Sequence, residues 1–424
     1  KNINFDLSNT TIDPIKLGKI LTRLKNNQIE NIIMEASSHG LRQNRLDGLK
    51  FNSGIFTNLS HDHLDYHKNL NDYLHAKLYL FNNLIKQKGK IISDKSIPEF
   101  KKIKKIASIK KFRLHSIFDD SSNFKILSHN FEGESQILKI KYKSLISEIK
   151  LNLIGKIQVK NILMSIIAAN NNDLSLNRIF NVISKIKPIE GRIEKIGNIK
   201  NKSKVILDYA HTPEALKICL LNLREQFPNK KIILLFGCGG NRDQNKRSKM
   251  GRIASSYSDE IYLTDDNPRL ENPKKIRREI RKGIKKIKVI EIPNRKKAIA
   301  KSISELSTGD ILLVAGKGHE IIQDFGNKKI YFSDRRVILE EIKIKNKNLS
   351  DNLKINLIKE KSKNNKLPSS LILNRVRINS KEINKNDAFF AIKGKKNDGN
   401  KFVAQSFKRK ASLAIVNSIQ NKLN

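Results

Sequence analysis

Several residue types that specialised proteins depend on are scarce in this sequence. Among 424 residues there are no tryptophans, nine prolines and two cysteines, and Cys219 and Cys238 are too few for the disulfide framework of a small secreted domain. No uninterrupted apolar run approaches the ~20 residues of a membrane-spanning helix, and no signal peptide opens the chain, which begins at Lys1 rather than Met. We therefore expect a cytoplasmic protein with no membrane partner, cut from a longer chain.

Acidic residues are also few relative to basic ones. The sequence has 41 Asp and Glu and 84 Lys and Arg, which gives a formal net charge of +43. Such a charge is typical of proteins that bind polyanions. The lysines, however, are spread evenly among isoleucine and asparagine, as in KKIKKIASIKK (101–111), and no zinc-finger spacing, RNP motif or basic–aromatic stripe accompanies them. We expect no specific nucleic-acid partner, and a basic nucleic-acid-binding protein is the alternative class.

The apolar residues that are present predict packed cores and an α/β fold. Residues 190–345 repeat one plan, in which a short apolar run is followed by Gly, Asp or Asn and then by a helical stretch. The apolar runs lie in KVILDYAH (204–211), KKIILLF (230–236), EIYLTDDNP (260–268) and DILLVAGKGHE (310–320). Strands that alternate with helices at this spacing predict a mostly parallel sheet, with functional loops at the carboxyl ends of the strands.

Composition divides the chain into four segments. Residues 1–187 mix helical and strand signals, and 188–343 carry the alternating pattern, where Thr212-Pro213 predicts the start of a helix. Residues 344–370 are polar and rich in Lys and Asn, which is typical of a linker, and apolar patterning resumes over 371–424.

Carboxylates and imidazoles are concentrated in the first segment. IIMEASSHG (32–40) places Glu35 at the end of an apolar run, where it is either a solvated residue at a strand end or part of a site. FTNLSHDHLDYH (56–67) is dense in His and Asp, which is typical of metal or phosphate chemistry, although a polar loop is the alternative. A Glu–His pair with few other protein ligands suits Mg²⁺, which retains waters and takes phosphate oxygens.

Lys77 lies in the helical stretch NDYLHAKLYLFNNLI (71–85). Its neighbours at three and four residues are Tyr73, Leu74, Leu80 and Phe81. Apolar surroundings remove solvation from the ammonium group and favour the neutral amine. Either the stem packs while the head group reaches water, or the lysine is chemically modified.

In the second segment, polar residues directly follow the predicted strands: Asp208, His211, Arg242, Asp243, Asp266, Asn267, Arg269, Lys317, His319 and Glu320. Each alone is typical of a cap or a turn, but loops after parallel strands converge on one edge of the sheet. In DNPR (266–269), arginine is suited to grip a carboxylate bidentately and aspartate to hold an ammonium group. The phosphate loop G-x-x-x-x-G-K-S/T does not occur in the sequence.

These segments, in this order, resemble the Mur ligases. The likeness covers about residues 1–342 and rests on NTT (9–11), MEASSHGLRQNR (34–45), FTNLSHDHLDYH (56–67), YLHAK (73–77), EGRIE (190–194), LDYAHTPEAL (207–216), FGCGGNRDQNKR (236–247), DDNPR (265–269), AGKGHE (315–320) and FSDR (332–335). It implies a central ATPase-type domain without its phosphate loop over 1–187 and a Rossmann-like C-terminal domain over 188–343. Residues 378–418 resemble the N-terminal UDP-substrate domain of a second Mur ligase, so we expect a fused second enzyme and a small α/β domain over 371–424.

The resemblance implies an amide ligase that uses ATP and Mg²⁺ in peptidoglycan precursor synthesis. ATP would phosphorylate a substrate carboxylate, an amine would attack the acyl phosphate, and phosphate would leave. The implied substrates are UDP-N-acetylmuramoyl-L-alanyl-D-glutamate and meso-diaminopimelate, since DNPR is the version of its motif that accompanies meso-diaminopimelate rather than lysine. A lysine-adding ligase of the same family is the alternative.

The resemblance also assigns roles by position. Binding of the UDP-muramoyl dipeptide is implied for Asn9, Thr10, Thr11, Ser37, Gln43 and Arg45. Glu35 and His63 would hold Mg²⁺, and Lys77 matches a lysine that is carbamylated in the family, which agrees with its apolar neighbours because carbamylation requires a neutral amine. The nucleotide site is implied at Asn161, Arg192, Asp208 and His211. The site for the added amino acid is implied at Arg242, Asp266, Asn267, Pro268, Arg269, Gly316 and Glu320.

Three features depart from the family pattern. The phosphate loop would precede Asn9, so we expect residues 1–424 alone to be inactive as a ligase. Ile157-Gln158 replaces the usual Phe-Asn pair near Asn161, and Asn379-Ser380-Lys381 replaces the usual Asp-Ser-Arg of the second enzyme.

Overall fold

The computed structural model describes residues 10–349 apart from 61, 65, 119–123 and 143–144, and beyond that range it describes 367, 371, 373, 376–394 and 397–417. The chain divides into two compact units. The first consists of Lys1–Pro188, Thr212–Phe227 and Arg242–Lys246, and the second of Ile189–His211, Pro228–Asn241 and Arg247–Asn424. Among the described residues, no helix has the length and apolar character needed to cross a bilayer.

A parallel sheet in the order β1-β2-β3 forms one layer of the first unit, from Phe51–Phe56 (β1), Ile85–Asp94 (β2) and Arg113–Ile117 (β3). The helices of this part are Pro14–Asn26 (α1), Ser38–Arg42 (α2), Leu70–Tyr79 (α3) and Phe100–Ile109 (α4). Asp13 starts α1, because its side chain accepts the Lys16 N–H at 2.8 Å and Pro14 occupies the first helical position.

Helix α3 widens after Tyr79 into one π-helical turn, Leu80–Leu84, before β2 begins. The helix predicted over 71–85 is therefore confirmed, with a wider hydrogen-bond pattern in its last turn. Its apolar residues share a buried cluster with the neighbouring strands and helix: Leu74, Leu78, Phe81, Phe56, Ile91 and Ile103. This packing places Lys77 beside an apolar layer.

The apolar run before Glu35 is not a strand. Residues 29–37 have no regular secondary structure, and the Ile33 side chain is fully exposed. A strand needs a neighbour for its backbone hydrogen bonds, and among the described residues β1, at the edge of its sheet, pairs with β2 alone. The interpretation of Glu35 as a strand-end residue is therefore wrong.

The first unit also contains an antiparallel sheet, with strands Phe124–Glu132 (β4), Ser135–Tyr142 (β5) and Leu145–Leu151 (β6). It shares a buried core with helices Lys156–Asn170 (α5) and Leu176–Ile183 (α6).

The helix Pro213–Gln226 (α7) also belongs to this unit. It begins as the sequence predicts, with Thr212-Pro213 as N-cap and first helical residue. Asn222 Oδ1 on α7 accepts the N–H of Ile157 at 2.9 Å, in the first turn of α5, and so satisfies a backbone donor that has no partner within that helix.

Six strands form the sheet of the second unit: Glu194–Lys195 (β7), Lys204–Asp208 (β8), Ile232–Phe236 (β9), Glu260–Leu263 (β10), Lys288–Glu291 (β11) and Ile311–Ala315 (β12). Their order is β11-β10-β9-β12-β8-β7, and every pairing is parallel except that of β7 with β8. All residues of β9 and β12 are buried, which explains their uninterrupted apolar sequences. The mostly parallel sheet predicted for this region is confirmed.

The remaining elements of this part are the helices Asn245–Tyr257 (α8), Pro273–Arg281 (α9), Arg295–Ser304 (α10) and Asp334–Asn348 (α11), and an antiparallel hairpin, Ile322–Asp324 (β13) and Lys329–Tyr331 (β14). Helix α11 continues to Asn348, past residue 343 where we placed a domain boundary. The linker predicted over 344–370 therefore begins after the helix, and residues 350–366 lie outside the described part.

A small parallel sheet follows, with strands Val376–Arg377 (β15), Ala388–Phe390 (β16) and Leu413–Ile415 (β17). It is accompanied by a helix, Val403–Lys408 (α12), and by 3₁₀ turns at Ser380–Glu382 and Gly399–Phe402. Its own core consists of Ile383, Phe389, Ala391, Val403 and Ala411.

Candidate active site

Three residues predicted to bind the dipeptide substrate share one hydrogen-bonded cluster around Thr11. The Thr11 hydroxyl donates to the Glu35 carbonyl oxygen at 3.0 Å and accepts the N–H of Ser37 at 2.9 Å, while Arg45 Nη1 donates to the Thr11 carbonyl oxygen at 2.6 Å. A Cβ at Gly40 would lie 2.5 Å from Thr11 Cγ2, so only glycine allows this approach.

The other residues predicted for this substrate lie around the same helix. Ser37 caps α2, since its hydroxyl accepts the Gly40 N–H at 3.1 Å, and Gln43 follows the last residue of α2 and donates to the Tyr66 hydroxyl at 3.1 Å. Thr10 is exposed, and Asn9 lies outside the described residues.

The residues predicted to hold Mg²⁺ are both exposed. The His63 backbone has φ 55°, and its Nε2 lies 3.8 Å from Asp62 Oδ2. Within the described ranges, no three His, Cys, Asp or Glu side chains are grouped as ligands of one metal ion. The donor set of Glu35 and His63 fits an ion such as Mg²⁺ that takes few protein ligands and otherwise binds water and phosphate.

Lys77 has the surroundings that the sequence predicts. Its Nζ donates to the Asn58 carbonyl oxygen at 2.8 Å and lies 5.1 Å from the ring centre of Tyr73 and 5.5 Å from that of Phe56. Burial lowers the pKa of the Lys77 amine, and nearby carboxylates, Glu99 first among them, oppose this shift only in part. The amine is thus nearer to its neutral, nucleophilic form than a solvated lysine is.

At the end of β8, Asp208 is held by two backbone donors. Its Oδ2 accepts the Ile193 N–H at 2.7 Å and its Oδ1 accepts the Ala210 N–H at 2.7 Å. Burial raises the pKa of Asp208, against the opposing effects of these hydrogen bonds and of the nearby side chains of Arg192 and His211.

Tyr209 contacts two of the four residues predicted for the nucleotide, Arg192 and His211. The Arg192 guanidinium lies 4.8 Å from the centre of its ring, and the His211 ring lies 4.7 Å away, edge-on. His211 Nδ1 is also 2.9 Å from the Tyr209 carbonyl oxygen. Asn161, the fourth residue predicted here, is exposed on α5 in the first unit, where its amide contacts Gln158 Oε1 at 3.4 Å.

A second set of residues surrounds Gly316, directly after β12. Gly316 has φ +114°, and a Cβ there would lie 2.7 Å from Asp266 Oδ2, so the close approach requires glycine. Asp266 Oδ1 accepts the N–H of Asn267 at 2.7 Å, and the Asn267 amide donates to Glu320 Oε2 at 2.9 Å. Asp266, Asn267, Gly316 and Glu320 are therefore brought together as predicted.

Arg269 is fixed by its backbone and by its guanidinium. Its N–H donates to the Asp324 carbonyl oxygen at 3.0 Å, with φ 51°, and Nη1 donates to the Gly240 carbonyl oxygen at 2.7 Å. A Cβ at Gly240 would lie 1.9 Å from the carbonyl oxygen of Pro268, so this turn also depends on glycine. Arg242 is exposed and lies in the segment 242–246 of the first unit.

Two family models match the chain: the Mur ligase middle domain over residues 1–169, and the Mur ligase, glutamate ligase domain over residues 191–318. The chain is 40% identical over 329 residues to the UDP-N-acetylmuramoyl-L-alanyl-D-glutamate--2,6-diaminopimelate ligase of Rickettsia bellii, a match that covers 77% of this chain and 68% of that protein. The chain belongs to the Mur ligase family. Mur ligases are ATP-dependent ligases, and the resemblance found in the sequence is confirmed.

Solved Mur ligases share the fold. The structure of a UDP-N-acetylmuramoyl-L-alanyl-D-glutamate--2,6-diaminopimelate ligase matches with a TM-score of 0.56 at 28% identity, over 78% of this chain and 68% of that one. The MurF ligase from Thermotoga maritima, in complex with ADP, matches with a TM-score of 0.52 over 73% of this chain and 64% of that one, and its 15% identity indicates a common fold alone. The α/β fold expected from the sequence is confirmed.

Sequence reasoning missed three groups of this Mur ligase chain. Tyr209 stands between two predicted site residues in LDYAH, and that position is the signal that could have identified it. His67 is buried, with Nε2 3.0 Å from the Ser38 hydroxyl and Nδ1 3.7 Å from Asp72, and burial lowers its pKa against the opposing effect of Asp72. The density of His and Asp over 56–67 was its signal.

The third group is an ion pair behind Gly316. Arg295 and Asp334 are both fully buried, and the guanidinium binds the carboxylate through two hydrogen bonds, Nε to Oδ1 at 2.8 Å and Nη2 to Oδ2 at 2.7 Å. Nη2 also donates to the Ala315 carbonyl oxygen at 2.9 Å, and Nη1 lies 4.0 Å from Asp266 Oδ2. Asp334 lies in the motif FSDR (332–335), but the sequence carries no signal that pairs it with Arg295, because the two residues are distant along the chain.

Proposed function

We propose that the protein joins meso-2,6-diaminopimelate to UDP-N-acetylmuramoyl-L-alanyl-D-glutamate in an ATP-dependent step of peptidoglycan precursor synthesis. The observation that carries this proposal is the 40% identity to the Rickettsia bellii ligase of that name, over 77% of this chain. In the proposed reaction, ATP phosphorylates the free carboxylate of the dipeptide. The amine of diaminopimelate then attacks the acyl phosphate, and phosphate leaves.

The cluster around Thr11 is the proposed binding site of the UDP-muramoyl dipeptide. Its residues are Asn9, Thr10, Thr11, Ser37, Gln43 and Arg45. The hydrogen bonds that join Thr11, Ser37 and Arg45 support this assignment, because they bring the guanidinium of Arg45 and the hydroxyl-bearing residue Ser37, which suit an anionic substrate, to the same residue.

Lys77, Glu35 and His63 are the proposed catalytic group. A neutral amine can take up carbon dioxide to become a carbamate, and the lowered pKa of Lys77 supports that modification. The carbamate is an anion, which would help Glu35 and His63 to hold Mg²⁺. When bound, Mg²⁺ offsets the negative charge of the transferred phosphoryl group.

Asn161, Arg192, Asp208 and His211 are the proposed nucleotide-binding residues. The aromatic ring of Tyr209 supports this assignment. The Arg192 guanidinium lies over the ring and the His211 ring contacts it edge-on, and these contacts restrict the motion of two groups that suit an anionic ligand.

The amino-acid site is proposed at Arg242, Asp266, Asn267, Pro268, Arg269, Gly316 and Glu320. Meso-diaminopimelate differs from lysine by a carboxylate on its distal carbon. The Arg269 guanidinium, whose Nε lies 4.0 Å from Asp324 Oδ2, can pair with that carboxylate, whereas it would repel the bare ammonium group of lysine. The hydrogen bond from its Nη1 to the Gly240 carbonyl oxygen supports this assignment, because an arginine that is already fixed loses little conformational entropy when it binds a ligand.

Residues 371–424 are proposed to be part of the UDP-substrate domain of a second Mur ligase, and the small sheet with its own core supports a separate domain there. The boundary at 187/188, a second boundary after α11 ends at Asn348 rather than at 343/344, and a cytoplasmic location belong to the same proposal. Titration calorimetry of the complete protein with the UDP-muramoyl tripeptide tests the second enzyme. Two equivalents bound per chain are expected, and one equivalent would contradict it.

ADP formation by the complete protein with purified substrates tests the main proposal. We expect ADP only when the UDP-muramoyl dipeptide and meso-diaminopimelate are both present, with much lower kcat/KM for L-lysine. Equal kcat/KM for the two amino acids would overturn the substrate assignment but leave the ligase, whereas no ADP with either amino acid would overturn the ligase itself.

A further inference from the structure

Lys317 is a fully buried cation directly after β12. Its Nζ lies within hydrogen-bonding distance of three oxygens: Asn267 Oδ1 at 3.1 Å, Glu320 Oε2 at 2.9 Å and the Ile322 carbonyl oxygen at 2.6 Å. A lysine ammonium has three N–H donors and no acceptor, so this set satisfies it completely. A buried polar network whose members are all satisfied holds its side chains in one arrangement.

The acceptor Asn267 has little capacity left for a ligand. Its Oδ1 accepts the N–H of Asp324 at 3.0 Å in addition to Lys317, and its Nδ2 donates to Glu320 Oε2. Both lone pairs of the amide oxygen are therefore in use. Asn267 links Lys317 to Glu320 and does not offer this oxygen to the amino acid.

Glu320 is the member of the network that reaches solvent, with 32% of its side chain exposed. Its Oε2 accepts hydrogen bonds from Lys317 Nζ and from Asn267 Nδ2. Its Oε1 has a long contact of 3.4 Å with the Tyr209 hydroxyl. Oε1 is therefore the oxygen with room for a strong donor such as an ammonium group.

We infer that Lys317 is a positioning residue of the amino-acid site, which fixes Glu320 so that Oε1 receives an ammonium group of the incoming amino acid. The inference rests on the proposed function. Lys317 does not touch the substrate, because its side chain has no exposed surface. Without the ammonium, Glu320 Oε2 and Asn267 Oδ1 would lose a charged donor, and the Glu320 carboxylate would be free to turn toward solvent.

The test substitution is Lys317→Met in the complete protein. It removes the ammonium group and keeps an unbranched side chain of similar length. Because a hydrogen bond to a charged group is lost between Lys317 and Glu320, we expect the KM for meso-diaminopimelate to rise about 10- to 100-fold. The KM values for ATP and for the UDP-muramoyl dipeptide should stay within about twofold, and kcat within about threefold.

Lys345 provides a matched control. It is a second buried lysine of the same unit, and its Nζ donates to the carbonyl oxygens of Ser304 at 3.0 Å and Leu306 at 2.9 Å. Lys345→Met also removes a buried ammonium and should lower Tm, but it should leave all three KM values unchanged. An equal rise in the KM for diaminopimelate in this variant would overturn the inference.

A double-mutant cycle separates positioning from a general loss of structure. In a Glu320→Gln background, Lys317→Met should raise the KM for diaminopimelate by less than about threefold, because the group that it positions is already altered. Equal effects of Lys317→Met in the two backgrounds would contradict the inference.

If Lys317→Met fails to fold, Lys317→Gln serves instead. It keeps a polar head group at this position but removes the positive charge beside Glu320 Oε2, so the KM for diaminopimelate should again rise. An unchanged KM in this variant overturns the inference. Failure of the wild type to use diaminopimelate would instead reject the proposed function, so the two failures are distinguishable.

Discussion

Lys77 in the first unit and Lys317 in the second are both withdrawn from water, but they have different neighbours. Lys77 Nζ has a backbone carbonyl oxygen and two aromatic rings beside it, whereas Lys317 Nζ has three oxygens, one of them from a carboxylate. Burial lowers the pKa of the Lys77 amine and favours its neutral form, whereas a full set of acceptors holds Lys317 Nζ in one position.

The same difference extends to the surroundings of the two lysines. The site of the first unit includes exposed polar groups such as Glu35 and His63 and an irregular segment, 29–37, where Ile33 is fully exposed. The site of the second unit is supported from behind by buried ion pairs such as that of Arg295 with Asp334. In the proposed function, chemistry at Lys77 therefore depends on the reactivity of its amine, and recognition of the amino acid in the second unit depends on rigidity.

The largest expected effect on stability is that of Arg295→Met. It leaves Asp334 buried without its partner, which costs about 3–5 kcal/mol of the free energy of unfolding. Urea unfolding at pH 7 measures it. Lys301→Ala on the same helix, which breaks an exposed pair with Glu305, should cost about 0.5 kcal/mol or less. Similar losses in the free energy of unfolding for the two variants would contradict the stabilising role of the buried Arg295–Asp334 pair.

Lys77→Ala should have the largest effect on turnover with the least effect on folding. We expect kcat of the complete protein to fall about 100-fold or more, because a charge that supports the phosphoryl transfer is lost. Short carboxylates added to the assay should restore part of the rate. Lys50→Ala, which removes an exposed lysine bound to the Asn83 carbonyl oxygen, is the control. An unaffected rate in Lys77→Ala would mean that this lysine only packs.

Arg269→Ala should act on selectivity. Loss of one charge-assisted pair should reduce the preference for meso-diaminopimelate over L-lysine about 10- to 100-fold, mainly through the KM for the amino acid. The measurement is kcat/KM for both amino acids in wild type and variant, with Arg281→Ala, an exposed arginine on α9, as control. A preference that survives the substitution would reject the role of Arg269.

The smallest effect is expected from Glu260→Gln, and it depends on pH. Burial would raise the pKa of Glu260, but hydrogen bonds from Lys231 at 2.6 Å and Lys288 at 2.8 Å outweigh it and lower the pKa below its ordinary value of 4.5. The carboxylate therefore contributes stability above about pH 4.5 that is lost as the pH falls through the lower, folded value.

Urea unfolding at pH 7 and at successively lower pH checks this effect. The wild type should be the more stable protein at pH 7, and the difference from Glu260→Gln should shrink below pH 4.5. Glu132→Gln, at an exposed pair with Lys150 in the first unit, should show little difference at any pH. A difference for Glu260→Gln that does not change with pH would contradict the assignment.

Local patterns in the sequence determined the elements of the second unit. Short apolar runs became β8, β9, β10 and β12, because a strand buried on both faces needs apolar residues throughout. Thr212-Pro213 capped α7, since capping depends on neighbours in the chain. The apolar neighbours of Lys77 were also readable, because they lie three and four residues away on one helix.

Tertiary structure alone decided which distant groups meet. The apolar run 32–34 resembles a strand but, among the residues that the structure describes, has no strand beside it, and pairing is a property of two segments rather than of one. Lys317 has polar neighbours in the sequence, yet the oxygens that surround its Nζ include those of Asn267 and Ile322. Arg295 pairs with Asp334, which is distant along the chain. The sequence by itself determined the family, the elements and the candidate residues, whereas the charge partners that fix those residues follow from packing, because electrostatic contacts depend on distance in space and leave no period along the chain.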